Sequence, residues 1–326
     1  MRAIVIREPG GPEVLEMCVV ADPQPERGEV AVRVRATAVN RADLLQRMGY
    51  YPAPPGAPPN VPGLEIAGEV DAVGDGVTDL ALGDRVFGLV SGGGYAERVV
   101  AHARTLVRIP ENLSFANAAA VPEAFITAWD AMITQGRLGA AETVVVHAAG
   151  SGVGSAAFQI AKAVGAFPIG TARSAEKLNR ARALGLVDSI LVREGKFAND
   201  VLARTGGRGA DVVLELVGGA YVAEDLACLS SRGRLVIVGL VGGARSDVDF
   251  GLLMRKRIEL RGTALRSRPL EEKILVARVL DKRLAPLLAR DVLRPVVDRV
   301  LPLGAAAEAH RALAANETFG KIVLAI

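Results

Sequence analysis

The fold class that the sequence predicts is α/β: a doubly wound, six-stranded parallel sheet inserted in a β-rich domain. Three observations predict it. Through roughly the first third of the chain, short runs of alternating apolar and polar residues are cut by Pro and Gly, the pattern of antiparallel strands with one solvated face. From about Pro122 the runs become continuously apolar and alternate with amphipathic stretches, the pattern of parallel strands covered by helices on both faces. The last apolar run, residues 319–324, is again a lone strand, placed to return to the first domain.

Taken in order, residues 30–34, 69–73 and 84–87 alternate as β-strands. Residues 50–62 hold six prolines in thirteen positions; so many missing amide donors exclude a helix or a central strand and predict an irregular loop. Pro122 suits the first position of a helix, and Phe125, Ile126, Trp129 and Met132 follow at helical spacing, which marks a domain boundary. The parallel strands are expected at 143–146, 168–171, 189–192, 211–216, 234–238 and 258–261. Helices are expected over 175–184, 220–229 and 270–288. Residues 1–122 and 264–326 are thus expected to form the β-rich domain around a sheet domain of residues 123–263. Chain termini often lie close together, which makes such an insertion feasible.

With 326 residues, 50% of them hydrophobic, the chain can bury a sizeable core. Lys and Arg number 39 against 36 Asp and Glu, so the net charge is only +3 and nucleic-acid binding is not expected. The densest basic run, Arg255, Lys256 and Arg257 with Arg261, Arg266 and Arg268, reads as a solvated turn beside a buried strand or as cofactor or partner contacts. Cys18 and Cys228, in different halves, imply no disulfide framework. The opening apolar run ends at Arg7 and Glu8, short of a signal peptide's core, and no stretch approaches the roughly 20 apolar residues of a membrane span. A cytoplasmic protein without membrane association is the expectation.

The 143–146 strand runs into His147, Ala148, Ala149, Gly150, Ser151, Gly152, Val153 and Gly154, then into an apolar helix ended by Gly165. Strand, tight Gly-rich turn and helix N-terminus form the context in which free amides and the helix dipole meet a pyrophosphate. Ala149, Ser151 and Gly154 best match the usual three glycine positions, with Gly150 and Gly152 between them, and small residues permit close backbone approach. A dinucleotide held by residues 149–154 is therefore expected. About 20 residues further on, an NAD site would place Asp or Glu against the ribose. Arg173, Ser174 and Lys177 stand there instead, a guanidinium, a hydroxyl and an ammonium suited to a 2′-phosphate, so NADPH is the expected cofactor. Ser174 can cap the next helix at the same time. Carboxyl ends of parallel strands line the ligand crevice, which places Val238, Gly239 and Leu240 over the nicotinamide, with Ala264, Leu265 and Arg266 completing that wall.

Several segments together carry a family resemblance: Gly28-Glu29-Val30, Asn40-Arg41-Ala42-Asp43, Pro62-Gly63-Leu64-Glu65 with Gly68, Gly83-Asp84-Arg85-Val86, Gly94-Tyr95-Ala96-Glu97, the turn just described, and Gly320-Lys321-Ile322-Val323. Over its whole length the chain resembles the zinc-free quinone oxidoreductases, related to zeta-crystallin, of the medium-chain dehydrogenase/reductase superfamily. The loop 51–56 and Leu265-Arg266-Ser267-Arg268 resemble in particular the branch of the animal tumour-suppressor-inducible quinone oxidoreductase. The resemblance implies a Rossmann sheet for the inserted domain and a GroES-like fold for the β-rich catalytic one, with the cofactor between them. The sixth strand, near Ile258, would be a sheet edge in need of cover, so pairing with a second copy predicts a homodimer.

Alcohol dehydrogenases of the superfamily hold zinc through a Cys at the position of Asn40 and a His at that of Leu64. Here two distant cysteines and His102, His147 and His310 offer no ligand spacing, so no metal is expected. His147 reads as a packing residue, His102 and His310 as surface or core polar residues. Without zinc nothing strongly polarises a ketone, and the expected acceptor is one that takes hydride readily, a quinone or an enone. The resemblance places Asn40 beside the nicotinamide ribose and the acceptor, and makes Thr127 a cofactor contact. Their plainer readings are a capping asparagine and a threonine bonded to its own helix. Tyr51 is a candidate donor of a hydrogen bond or proton to the acceptor oxygen, or else a lid residue. Glu123 reads as a first-turn acid favoured by the helix dipole rather than a general base. Where some relatives pack a Tyr on the cofactor, this chain has Leu191, Val192 and Arg193, of which Arg193 is an electrostatic substitute. The expected activity is NADPH:quinone oxidoreduction. The alternatives are an NADPH-dependent enoyl or alkenal reductase and a non-enzymatic NADPH-binding protein of crystallin-like or RNA-binding kind.

Overall fold

Apolar residues at every second position give the N-terminal strands one buried face. In the computed structural model, which describes residues 1–326, these strands are β1 (Arg2–Ile6), β2 (Leu15–Val19), β3 (Glu29–Ala38), β4 (Glu65–Val73), β5 (Arg85–Leu89), β6 (Arg98–His102) and β7 (Leu106–Arg108). Helix α1 (Arg41–Arg47) follows β3, and the proline-rich stretch 50–62 is irregular. After α2 (Phe115–Ala119), α3 (Pro122–Trp129) starts on Pro122 and runs into a π-helical segment, Asp130–Gln135.

Next, β8 (Thr143–Val146), β9 (Phe167–Ala172), β10 (Asp188–Leu191), β11 (Ala210–Glu215), β12 (Leu229–Ile237) and β13 (Glu259–Gly262) alternate with α4 (Gly152–Ala163), α5 (Ala175–Arg182), α6 (Ala198–Arg204), α7 (Tyr221–Cys228) and α8 (Phe250–Lys256). All six strands are parallel, in the order β10-β9-β8-β11-β12-β13, so the chain begins in the middle of the sheet and winds outward to both edges. The central strands are covered on both faces, as their unbroken apolar runs require: Val144, Val145, Val213 and Leu214 are fully buried.

The chain finishes with α9 (Leu270–Val279), a π-helical turn (Leu280–Leu284), α10 (Ala285–Ala289), β14 (Val297–Pro302), α11 (Ala306–Ala314) and β15 (Lys321–Ala325). The single helix expected over 270–288 is thus interrupted. Pro286 stands in the first turn of α10 and has no N–H for a carbonyl one turn back, so the backbone ahead of it widens. The β15 strand pairs antiparallel with β3, in a sheet ordered β14-β15-β3-β4-β5-β7 with β6 also on β3; β1 and β2 form a separate hairpin. One compact unit comprises Met1–Ile126, Leu265–Asp291 and Pro295–Ile326, the other Thr127–Ala264 and Val292–Arg294. No helix is long and apolar enough to cross a membrane.

The basic run is less solvated than expected. Lys256 Nζ donates to the carbonyls of Leu226, Ala227 and Leu229 at 3.2, 2.7 and 2.7 Å, a cation on the carbonyl end of α7. Arg257 then takes a left-handed conformation, φ 54°, to close α8.

Candidate functional site

From β8 the chain turns through Ala148, left-handed at φ 49°, into α4. Ser151 caps the helix, its Oγ accepting from Gly154 N at 2.9 Å, while Ala149 N donates to Thr171 O at 3.0 Å and Ser151 N to Ala148 O at 2.8 Å. The amides of Gly150, Gly152 and Val153 are left without a protein acceptor at the positive end of the helix. Gly154 is required by close approach: a Cβ there would lie 2.6 Å from Ala148 O. A Cβ on Gly150 would lie 2.5 Å from Lys177 Cδ, so the lysine stem crosses over the turn. Ser174 caps α5, accepting from Lys177 N at 3.3 Å, and Arg173 beside it is exposed. The donor set therefore suits the phosphates of a dinucleotide.

Beyond β12, the amides of Val238 and Gly239 both donate to Glu215 O, at 2.9 and 3.3 Å, and a Cβ on Gly239 would lie 2.5 Å from Leu216 O. The turns after β11 and β12 thus press together at the carboxyl end of the sheet, with Leu240 exposed. Thr127 is buried, and its hydroxyl makes no bond to its own helix, so that plainer reading is not realised. Ala264 ends this unit, while Leu265 and Arg266 belong to the other. Arg193 is exposed.

Behind the nucleotide turn lies a cluster that the sequence reading missed. His147 is fully buried, edge-on to the rings of Phe197 at 4.7 Å and Tyr221 at 5.1 Å. Its Nδ1 is bonded to Thr171 Oγ1 at 2.7 Å and its Nε2 to Asp225 Oδ1 at 2.8 Å, with Glu215 Oε2 3.6 Å away. Glu215 Oε1 accepts from Val217 N and Gly218 N and so shapes the turn after β11. Glu215 Oε2 and Asp225 Oδ2 are buried and accept no hydrogen bond from a protein N–H or O–H. Burial pushes Glu215 up to about 8 and Asp225 up to about 7, and it lowers His147. The proton of the cluster at neutral pH therefore sits on the carboxyl pair, not on the imidazole. His147 packs, as expected, but it also holds two acids in place.

In the β-rich unit Asn40 starts α1. Asp43 accepts from Asn40 N at 2.8 Å, Gly63 N at 3.1 Å and Tyr95 Oη at 3.2 Å, and burial raises it to about 6. Asn40 Nδ2 donates to Ala38 O at 3.2 Å and Glu65 Oε1 at 2.8 Å, and Asn40 Oδ1 accepts from Lys321 Nζ. Both amide hydrogens of Asn40 are therefore engaged within the protein, which makes it an organiser of the site rather than a free donor. Lys321 also pairs with Glu65 at 2.8 Å, side chains 6% and 0% exposed, and Glu65 Oε2 accepts the backbone N–H of Glu123 at 2.7 Å. His310 lies between Tyr95 Oη and Arg47, each at 3.3 Å; burial and then Arg47 hold it neutral, at about 3.

Arg266 belongs to the same unit. Its guanidinium donates to Ser91 O at 2.8 Å, Tyr51 O at 3.1 Å and Gln46 Oε1 at 2.7 Å, and it lies 5.2 Å from the centre of the Tyr51 ring. All three guanidinium nitrogens are spent on this unit, where Arg266 lines a pocket. That pocket, narrow and open to solvent, is lined by Leu64, Leu89, Val90, Ser91, Glu123, Leu265, Arg266 and Lys273. The half-buried Tyr51 makes no bond through its hydroxyl; burial, then Glu123, raises the phenol above its ordinary value.

Two family models match the chain: an alcohol dehydrogenase GroES-like domain over residues 26–111 and a zinc-binding dehydrogenase over residues 152–281. The quinone oxidoreductase of pig (Sus scrofa) is 35% identical over 327 residues, 99% of this chain and 97% of its own. The Escherichia coli quinone oxidoreductase, solved in complex with NADPH, superposes with a TM-score of 0.90 at 31% identity over 100% of both chains. A structure described as an NAD-dependent alcohol dehydrogenase gives a TM-score of 0.87 at 35% identity, again over 100% of both. With a GroES-like unit, a parallel Rossmann sheet and relatives of this identity along its full length, the chain belongs to the quinone oxidoreductase branch of the medium-chain dehydrogenase/reductase superfamily and is an oxidoreductase.

Proposed function

We propose that the chain is an NADPH-dependent, zinc-independent enzyme that passes hydride to a quinone. The cofactor choice rests on the end of β9, where Arg173, Ser174 and Lys177 replace the ribose-binding acid and Lys177 reaches back over Gly150. The unengaged amides of Gly150, Gly152 and Val153 would hold the pyrophosphate. When bound, the nicotinamide supplies a hydride; the chain supplies position and electrostatics.

Zinc independence is supported by what stands at the two ligand positions: an amide bonded to the Lys321 ammonium at Asn40, and a buried alkyl chain at Leu64. An acceptor reduced without a Lewis acid must take hydride readily, and the pig and E. coli relatives are quinone oxidoreductases. The apolar wall of Leu64, Leu89 and Val90 suits a flat ring, and the unbonded Tyr51 hydroxyl suits an acceptor oxygen on which charge develops.

The test is NADPH oxidation against ortho-quinones, para-quinones and enones, with NADH in parallel. Replacing Arg173 and Lys177 with Ala should raise the KM for NADPH about tenfold or more while leaving that for NADH unchanged. Equal use of NADH by the wild type would overturn the cofactor assignment. Turnover of enones without quinones would replace the quinone by an activated double bond.

A further inference from the structure

We propose that Glu123 is the acid that protonates the acceptor: its carboxyl, which lines the pocket without a hydrogen bond of its own, passes a proton to the quinone oxygen. The inference rests on the quinone-reductase reading above and assigns the residue that completes that reaction.

Two features of Glu123 separate it from an ordinary first-turn acid. Its backbone is fixed, the N–H donating to Glu65 Oε2 at 2.7 Å, while its partly exposed side chain engages no protein donor. A carboxyl in the first turn of a helix usually accepts from a nearby amide. Here it stands among Leu64, Leu89 and Val90, with Arg266 and Lys273 on the same pocket and Ser91 already taken by Lys273 at 2.7 Å.

The charges around it come from every side. Glu65 on β4 and Asp43 on α1 oppose its ionisation; Lys321 on β15 and Arg266 favour it. Burial outweighs all of these, followed by Glu65, and pushes the carboxyl up to about 8. At neutral pH it is a neutral acid, with acidity close to the working pH, where proton transfer is most effective. The Tyr51 phenol, raised above its already high ordinary value, is the poorer proton source.

The balance is simple. The quinone gains two electrons and one hydrogen as hydride supplied by the reduced nicotinamide. The carboxyl O–H bond of Glu123 breaks and an O–H bond forms on the quinone oxygen, giving the hydroquinone and a Glu123 carboxylate. Water returns the proton before the next turnover. Without this transfer an oxyanion would remain in an apolar pocket, with only Arg266 and Lys273 to offset its desolvation.

The experiment compares wild type, Glu123→Gln and Glu123→Asp in NADPH-dependent quinone reduction across pH 5.5–10, with infrared difference titration of the cofactor-free proteins. In the wild type kcat should be level through neutral pH and fall above about 8. Glu123→Gln should lose about 10²- to 10⁴-fold in kcat together with that fall, at an unchanged KM for NADPH and unchanged thermal unfolding at pH 6. Glu123→Asp should recover part of the turnover. The bands of the protonated Glu215 and Asp225 are common to both proteins, so the difference between wild type and Glu123→Gln should hold one further protonated-carboxyl band, which vanishes near pH 8. Full turnover by folded Glu123→Gln, or an ionised Glu123 at pH 7, overturns the proposal. A wild type that reduces no quinone overturns the functional reading and this proposal together, a result distinct from an active variant.

Discussion

Asp225 and Glu215 show how far single residues decide the electrostatics of this molecule. Each is fully buried, each keeps one oxygen that accepts no hydrogen bond from a protein N–H or O–H, and the folded chain holds protons on them that the unfolded chain releases near ordinary carboxylate values of 3.8 and 4.5. Their stabilising effect is therefore complete below those ordinary values and is lost as pH rises through about 7 and 8. His147 acts with the opposite sign: kept neutral by burial, it costs stability as pH falls below its ordinary 6.5. Asp225→Asn keeps the hydrogen-bonding shape toward His147 and removes one ionisation. The expected result is a flatter stability profile between pH 5 and 9 and a gain at pH 9 on the order of 1–3 kcal/mol, measured by urea unfolding at each pH. Neither acid was legible in the sequence as a buried group. Glu215 reads as one polar position in an apolar strand and Asp225 as one of several acids on a helix; only the register of β8 against β11 brings His147 between them. The residues at the end of β9, by contrast, could be singled out in the sequence because they follow a recognisable turn within a short stretch of chain.

At the scale of elements, the same contrast separates local from distant causes. The strand, turn and helix made by β8 and α4 could be read directly, since a continuous apolar run, a cluster of small residues and a capping serine are neighbours in sequence. The widened backbone before α10 could have been read from Pro286, but the apolar spacing across 270–288 masks it. The place of Arg266 could not be read: its three acceptors, Gln46, Tyr51 and Ser91, come from segments more than 170 residues away in sequence. The turn itself gives a sharp test. In Gly154→Val the new Cβ would meet Ala148 O, a backbone atom of the turn, at 2.6 Å, and α4 would have to move away from β8. Binding of NADPH, followed by its fluorescence, should weaken by at least about tenfold, because the unengaged amides lose their common direction. Unaltered binding would mean that the pyrophosphate lies elsewhere.

For the whole molecule the open question is what covers β13. It is an edge of the parallel sheet, with a row of unpaired backbone groups, and Leu260 on it is 42% exposed. Just before it, Phe250 and Met254 lie one turn apart on α8 and are 71% and 73% exposed, a pair of large apolar side chains that a monomer would leave in water. A net charge of only +3 sets little repulsion against self-association. We propose that β13 pairs with its counterpart in a second copy about a two-fold axis, which would close the edge and cover both side chains at once. Sedimentation equilibrium should then give a dimer for the wild type. Leu260→Lys combined with Phe250→Glu should give a monomer, because an edge lysine blocks strand pairing and a buried glutamate opposes its own symmetry mate. A monomeric wild type, or a variant that still dimerises, would assign the interface to another surface and leave β13 protected only by its shortness.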